Sequence, residues 1–476
     1  MTDQNKIQLA SLFKTWSGQE VLRIGELPPS GSHREYVRIF GTKDTAIGVY
    51  NPDRKENRAF LTFSRHFRKY GLPVPEIFAE ATNGLLYLEE DLGNMTLFSY
   101  LTEVRAQEGF TAGLIRTYEK VLDALVRFQT EAGPSLDYSV CYPRASFDRQ
   151  SMLWDLHYFK YYFLKLAKVS FDEQLLEDDF NRFAGYLVSA GQDYFLYRDF
   201  QSRNVMLIKS EPFFIDYQGG RRGALYYDLA CLLYDAKADL PEEVRQHLLE
   251  YYLTRVQEKI SIDREAFMRY FHGFVLIRIM QALGAYGFRG FYEQKAHFLQ
   301  SIPYAVQNLE HLLKQVSLPV EMPALRRVWE DIVANESLRN FPQAWPGLTV
   351  RITSFSYKNG IPMDETGHGG GFVFDCRALP NPGRLEQYRE LTGMDEPVIR
   401  FLDERKEMQE FFEHVALLAD KSVENYLQRG FHNLMISFGC TGGQHRSVYM
   451  AEKLAKYLKE KYDVKVVLKH REQEIR

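Results

Sequence analysis

Between residues 318 and 347 the pattern of this chain changes. Upstream, short β-rich runs over 20–92 give way to a long stretch of helical periodicity; downstream, strands and helices alternate. Two proline-bearing segments mark the change, Leu318-Pro319-Val320-Glu321-Met322-Pro323 and Phe341-Pro342-Gln343-Ala344-Trp345-Pro346-Gly347. Proline fixes φ and removes an N–H, so such stretches interrupt regular elements. With 476 residues the chain is also too long for one compact core. The sequence therefore predicts an α+β domain over 1–317, with a β-rich lobe at 20–92 and a helical lobe at 93–317. A linker over 318–347 and a smaller α/β domain over 348–476 follow.

Local signals fill in this outline. Val37-Arg38-Ile39-Phe40 and Thr45-Ala46-Ile47-Gly48-Val49-Tyr50 flank a four-residue turn, a hairpin signature. A helix is expected from Glu56 to Tyr70, stopped by Gly71 and Pro73, and a strand at Leu85-Leu86-Tyr87-Leu88. Helices are expected over 97–190 and 226–316, with two short strands framing Arg198 to Asp216. In the last domain strands are expected at 348–355, 371–376, 433–438 and 464–468, and helices at 404–428 and 445–461.

The composition excludes several classes. A formal charge of −4 with 45% hydrophobic residues is that of a globular chain and not of a general nucleic-acid binder. Four cysteines, Cys141, Cys231, Cys376 and Cys440, lack metal-ligand spacing and point to neither a disulfide scaffold nor a zinc site. The first residues lack the charged-then-apolar pattern of a signal peptide. No apolar run approaches the roughly 18–20 residues that span a bilayer. A cytoplasmic protein with no membrane partner is expected.

The chemistry concentrates in Tyr197-Arg198-Asp199-Phe200-Gln201-Ser202-Arg203-Asn204, followed after a short hairpin by Phe213-Phe214-Ile215-Asp216. Phosphoryl transfer needs a carboxylate to orient the acceptor hydroxyl and take its proton. It also needs an amide and a second carboxylate to hold the divalent ion that neutralises the phosphates. Asp199 fits the base and Asn204 and Asp216 the metal ligands, and an all-oxygen set suits Mg2+. Arg203, in the same loop, is placed with Asp199 among the catalytic candidates.

This segment resembles the catalytic loop of the aminoglycoside-phosphotransferase and choline-kinase family. Within it the chain is most similar to bacterial anomeric N-acetylmuramate/N-acetylglucosamine kinases. The similarity covers about 20–316 and includes Ile215-Asp216-Tyr217-Gln218 and Tyr227-Asp228-Leu229-Ala230-Cys231-Leu232-Leu233. It implies a bilobal, protein-kinase-like fold using ATP and Mg2+ on a small-molecule alcohol. It implies that Ser30-Gly31-Ser32-His33-Arg34 covers the phosphates and that the hinge Leu88-Glu89-Glu90-Asp91-Leu92-Gly93 meets adenine. For the acceptor it implies Asp155, aligned with an acidic position that grips hydroxyls, and Arg278, on a helix (278–286) that faces substrate. Three departures stand out: Tyr197 and Gln201 replace histidines, and the strand 46–50 lacks the usual lysine. Arg34 or Arg38 is the cation that would stand in for it.

In the last domain Leu434-Met435-Ile436-Ser437-Phe438 leads into Gly439-Cys440-Thr441-Gly442-Gly443-Gln444-His445-Arg446-Ser447 and then a helix. Glycines that turn N–H groups inward, a helix N-terminus and a bidentate arginine all favour an anionic oxygen cluster. Cys440, five residues, then Arg446 and Ser447 also has the spacing of cysteine-dependent phosphatases. The region 348–472 resembles the C-terminal domain of the RNase adapter protein RapZ. The matching segments are Thr353-Ser354-Phe355-Ser356-Tyr357-Lys358-Asn359-Gly360-Ile361-Pro362, Phe374-Asp375-Cys376-Arg377-Ala378-Leu379-Pro380-Asn381-Pro382 and 439–450. The resemblance implies binding of small RNA and sensing of an amino-sugar phosphate; that family's N-terminal P-loop domain has no counterpart here. Lys358, Asp375, Arg377 and His368 are candidates to complete the pocket.

Together these readings predict ATP-dependent phosphorylation of an amino sugar, fused to a domain that binds a phosphorylated sugar or nucleotide. The alternatives are an RNA-binding adapter with a degenerate kinase half, and a kinase of another alcohol such as an aminoglycoside, choline or a nucleoside.

Overall fold

The computed structural model describes residues 1–27, 34–293, 295–340, 348–363, 371–428, 431 and 433–473. They fall into two units, Met1–Phe288 with Ser301–Phe341, and Arg289–Gln300 with Pro342–Arg476. The proline-bearing segment 341–347 lies outside the described residues.

The first unit opens with α1 (Asp3–Ser17), β1 (Arg23–Glu26), β2 (Glu35–Phe40), β3 (Thr45–Tyr50), α2 (Arg54–Lys69), β4 (Ile77–Glu80) and β5 (Leu86–Glu89). The strands form one antiparallel sheet in the order β1-β2-β3-β5-β4. Helix α1 was not expected from sequence. Thr2 caps it by accepting from the Asn5 amide, and Gly18 ends it at φ 69°. Leu9 and Phe13 then bury against Val37, Ile39, Ala46, Leu86 and Leu88. Gly48 of β3 makes room for that helix: a Cβ there would lie 3.0 Å from Leu9 Cδ1 and 3.1 Å from Val37 Cγ2. Because strand side chains alternate, the opposite face carries Tyr36, Arg38, Ile47, Val49, Tyr87 and Glu89, paired across β2, β3 and β5.

The helical lobe contains α3 (Leu97–Glu108), α4 (Ala112–Arg127), α5 (Arg149–Phe159), α6 (Glu173–Val188), β6 (Tyr194–Leu196), β7 (Val205–Ile208), β8 (Glu211–Phe214) and β9 (Arg221–Gly223). Helices α7 (Tyr226–Leu233), α8 (Glu242–Gln257) and α9 (Arg264–Tyr286) follow. Two short antiparallel ladders, β6 with β9 and β7 with β8, hold the ends of the 197–216 segment. Tyr217 ties this segment to α2: its ring stacks on Phe60 at 5.0 Å and its hydroxyl meets Ser64 Oγ at 2.6 Å.

After α10 (Ala296–Leu299), assigned to the second unit, the chain returns to the first as α11 (Ile302–Gln315), α12 (Pro323–Ala334) and α13 (Glu336–Arg339). The stretch expected to be a linker thus carries two helices. Asp179 of α6 accepts from the Ala324 and Leu325 amides (2.7 and 2.9 Å), and Leu325, Val328, Trp329 and Ile332 are buried. The prolines start a packed helix rather than a free tether, as proline does at a helix's first turn.

The second unit is built on a parallel sheet of β10 (Thr349–Ser356), β11 (Gly371–Asp375), β12 (Asn433–Cys440) and β13 (Lys465–His470), ordered β11-β12-β10-β13. Helices α14 (Glu396–Asp403), α15 (Lys406–Gln428) and α16 (Arg446–Lys461) complete it. Val350, Ile352, Ile436, Phe438, Met450 and Leu454 belong to its core. Ser356 pairs with Cys440 and Asp375 with Gly439, so three strands end together at the carboxyl edge, where α/β sheets place their ligands.

Candidate active site and phosphate loop

The loop after β6 is held from beneath by Asp228, whose buried carboxylate accepts from the amides of Tyr197 (2.7 Å) and Arg198 (3.0 Å). Arg198 takes φ 86° and Asp216 φ 70°, left-handed conformations that cost a non-glycine residue about 1–3 kcal/mol and cluster at functional sites. Tyr197, in the family's histidine position, donates its hydroxyl to the Ile215 carbonyl at 2.6 Å and so fastens the loop to the Asp216 strand end.

These constraints bring the three predicted groups together. The Asn204 amide donates to the Asp199 carbonyl (2.9 Å) and to Asp216 Oδ2 (3.1 Å), while Gln218 donates to Asp216 Oδ1 (2.8 Å). Burial, and next the neighbouring Asp199 carboxylate, push Asp216 up to about 6, against Gln218 and Arg34. A desolvated carboxylate beside a second carboxylate and an amide is electrostatically short of a cation. The donor set of Asn204 and Asp216 fits a hard divalent ion, which takes one or two protein oxygens and completes its shell with phosphate and water.

On the nucleotide side, Ser30, Gly31 and Ser32 lie outside the described residues. The two candidate cations separate cleanly. Arg38 binds Asp91 (2.8 and 2.9 Å) and the Gly93 carbonyl (3.0 Å), bracing the hinge, and Asp91 also accepts from the Gly93 amide. Arg34 is only 3% exposed, lies 3.5 Å from Glu56 of α2 and acts electrostatically on Asp216. An arginine at the start of β2 paired with a glutamate on α2 reproduces the charge pair that kinases build from a strand lysine and a helix glutamate. Glu89 is buried on the same sheet face, and burial raises it to about 8 despite Arg34.

On the acceptor side the sequence expectation needs one correction. Both Asp155 carboxylate oxygens are engaged by Arg198 (2.7 and 2.6 Å), so Asp155 orients the loop instead of presenting itself to a hydroxyl. Arg278 donates Nε to Cys231 Sγ at 2.9 Å and Nη1 to Gln281, and the Asp199 charge acts on it. Arg203 is exposed and lies over the Phe98 ring, 4.6 Å from its centroid. Glu56, Gln218 and Asp235, which holds Ser202, were missed from sequence. The order of a charged helix after a strand hairpin was the available signal for Glu56.

In the second unit Cys440 ends β12, 441–445 form the loop, and α16 starts at Arg446. Gly443 has φ +64°, and a Cβ there would meet the Ser356 amide nitrogen at 2.8 Å, so the turn requires glycine. The Thr441 carbonyl accepts from Ser356 Oγ at 2.7 Å, and the space beside Gly442 is open. Gln444 donates to the Leu391 carbonyl (2.7 Å), His445 Nε2 meets the Tyr388 carbonyl (2.8 Å), and Arg446 donates to the carbonyls of Arg377 (2.7 Å) and Leu379 (3.0 Å). These side chains fasten the loop to its neighbours. Burial pushes the Cys440 thiol up, but the Ser447 hydroxyl at 3.2 Å, the Ser447 and Gly443 amides and Arg446 outweigh it and hold the thiol below its ordinary range. Asp375 and Arg377 pair with each other (2.6 Å) at the same edge, Arg377 lying over the Tyr357 ring. The Lys358 amide bonds Ser356 Oγ at 3.3 Å. His368 lies outside the described residues.

Residues 10–266 match the profile of the phosphotransferase enzyme family, and residues 348–474 match that of the RapZ C-terminal domain. A nucleotide-binding protein of Staphylococcus epidermidis is 43% identical over 128 residues, 27% of this chain and 41% of that protein. One from Staphylococcus aureus strain JH9 is 40% identical over 151 residues, 32% of this chain and 45% of its own length. The chain therefore spans less than half the length of these curated relatives. Among solved structures, choline kinase from Cryptosporidium parvum Iowa II gives a TM-score of 0.44 at 12% identity, covering 64% of this chain and 92% of that one. Amicoumacin kinase hAmiN, in complex with AMP-PNP, Ca2+ and Ami, gives 0.44 at 12% identity, covering 72% and 96%. With more than half of its length matched by that one profile, the chain belongs to the phosphotransferase enzyme family and carries a RapZ-type domain behind its kinase domain.

Proposed function

We propose that the first unit transfers the terminal phosphoryl group of ATP to a hydroxyl of an amino sugar, such as N-acetylmuramate or N-acetylglucosamine at the anomeric position. The observation that carries this reading is the Asn204 amide, bonded at once to the Asp199 carbonyl and the Asp216 carboxylate. Asp199 orients the acceptor hydroxyl and takes its proton; Asn204 and Asp216 hold Mg2+; Arg34, braced by Glu56, faces the phosphates. Mg2+, when bound, neutralises the charge of the transferring group. The second unit binds the phosphate of a sugar or nucleotide in the 439–447 loop, and the protein works in the cytoplasm. Among the described residues no helix is long and apolar enough to cross a membrane.

The test is acceptor-dependent ATP consumption over free sugars, aminoglycosides, choline and nucleosides. Asp199→Ala is expected to lower kcat by about 10²–10⁴-fold. An RNA adapter with an inactive kinase half predicts no acceptor-dependent turnover, and equal rates in wild type and variant would reject the catalytic reading.

The lowered Cys440 thiol favours a second chemistry in the loop, nucleophilic attack on a phosphate ester. Wild type would then hydrolyse p-nitrophenyl phosphate and Cys440→Ser would not; background hydrolysis by both leaves the loop a binding site.

A further inference from the structure

Arg221 opens β9, five positions after Asp216, in register with Leu196 on the strand that leads into the 197–204 loop. Its turn packs on that loop: the Cβ position of Gly219 is 3.7 Å from Arg198 Cγ. Arg221 is 7% exposed. Burying a guanidinium costs several kcal/mol unless a counter-charge and hydrogen bonds compensate it. Arg198 next to it is compensated in full by the two oxygens of Asp155. Arg221 is not. Its Nε donates to the Gly219 carbonyl at 3.0 Å, and among the described residues no carboxylate lies within ion-pair distance of it. Burial first and Arg198 second lower its affinity for the proton to about 10, only partly opposed by Asp155 and Tyr227.

The imbalance extends towards Asp199. Arg278 has neutral partners, Cys231 Sγ and Gln281. Arg198, Arg221 and Arg278 all act on or feel the Tyr227 hydroxyl, and the carboxylate that neutralises any of them is Asp155. A pocket with surplus buried positive charge selects an anion and rejects cations.

We propose that Arg221 binds an anionic substituent of the acceptor, so that the substrate of this kinase is an alcohol bearing a carboxylate or phosphate rather than a neutral or cationic one. This rests on the kinase reading above and names the acceptor's charge class and the residue that selects it. A planar guanidinium with free amines matches either anion in a two-point contact.

Acceptors compared in pairs that differ by one charged group test this: glucuronate with glucose, glucose 6-phosphate with glucose, and N-acetylmuramate with N-acetylglucosamine. Wild type is expected to favour a charged member, and the carboxylate and phosphate arms identify which anion fits. Arg221→Gln should raise KM for that member at least about tenfold while kcat and the neutral partner's KM stay within about twofold, and Arg221→Lys should recover part of the loss. A purely structural arginine would instead change kcat, or both members alike, and that result overturns the proposal, as does the absence of charge preference in wild type. Calorimetric titration of glucuronate against glucose separates failure of the proposal from failure of the kinase reading. If no acceptor is phosphorylated, wild-type binding of glucuronate that Arg221→Gln removes still supports the Arg221 site, and equal binding by both proteins rejects it.

Discussion

Glu89 is an acid stored without the water that ionisation requires. It stands on the cleft face of the sheet beside Arg34, which does not outweigh the loss of solvent, and its carboxyl is raised to about 8 from the 4.5 of an unfolded chain. Between those values the folded protein keeps a proton that the unfolded chain has released. Stability is therefore greatest below about pH 4.5 and falls as pH rises towards 8, by at most about 1.4 kcal/mol per pH unit at the steepest point. Glu89→Gln keeps the shape of the neutral form and cannot ionise. Urea unfolding at a series of pH values is expected to show a shallower decline for the variant across this window; an unchanged slope would mean that Arg34 compensates the carboxylate. The same residues show what sequence can and cannot reveal. Asp199, Asn204 and Asp216 were legible because kinase chemistry packs them into one short stretch. Glu56 was not, because its partner Arg34 is 22 positions away and meets it only once β2 and α2 are placed. The role of Asp155 was misread because the φ of 86° that turns the Arg198 backbone has no signature in the residue letters.

At the scale of elements, Gly48 decides whether α1 can lie on the sheet. Leu9 Cδ1, Ile39 Cδ1 and Val37 Cγ2 stand 3.0–3.1 Å from where its Cβ would be, closer than carbon atoms pack. Gly48→Val should cost about 1–3 kcal/mol through overpacking, read as a fall in the urea midpoint. Leu9→Ala in the same chain should return part of the loss, because the two positions share one contact; strict additivity would place the strain elsewhere in the sheet. The strands of the parallel sheet were legible to within about two residues because each apolar run is bounded by turn residues. Helix α1 carries the same kind of information, with Thr2, Gly18 and apolar Leu9, Leu12, Phe13 and Trp16, and was passed over when the N-terminus was weighed only as a targeting signal. The helices at 323–339 were hidden by prolines, which begin a helix as readily as they end one.

At the scale of the whole molecule, each unit supplies its own chemistry. Arg34, Glu56, Asp199, Asn204 and Asp216 belong to the first, and every residue of the 439–447 loop to the second. A kinase that makes a phosphorylated product and a domain that holds phosphate in one chain invite product sensing, and this makes a kinetic demand. Arg446 holds the 377–379 carbonyls and helps keep Cys440 ionisable, and it has no place in the kinase site. Arg446→Ala is therefore expected to weaken phosphosugar binding in calorimetry at least about tenfold, the scale of losing a buried charged anchor. Initial kinase rates without product should stay within about twofold. If the loop senses product, wild type will show a component of product inhibition that rising acceptor concentration does not relieve, since an effector at a second site changes kcat without competing for the acceptor. That component will be missing in Arg446→Ala. Product inhibition that is purely competitive in both proteins would leave two activities joined by a chain and nothing more.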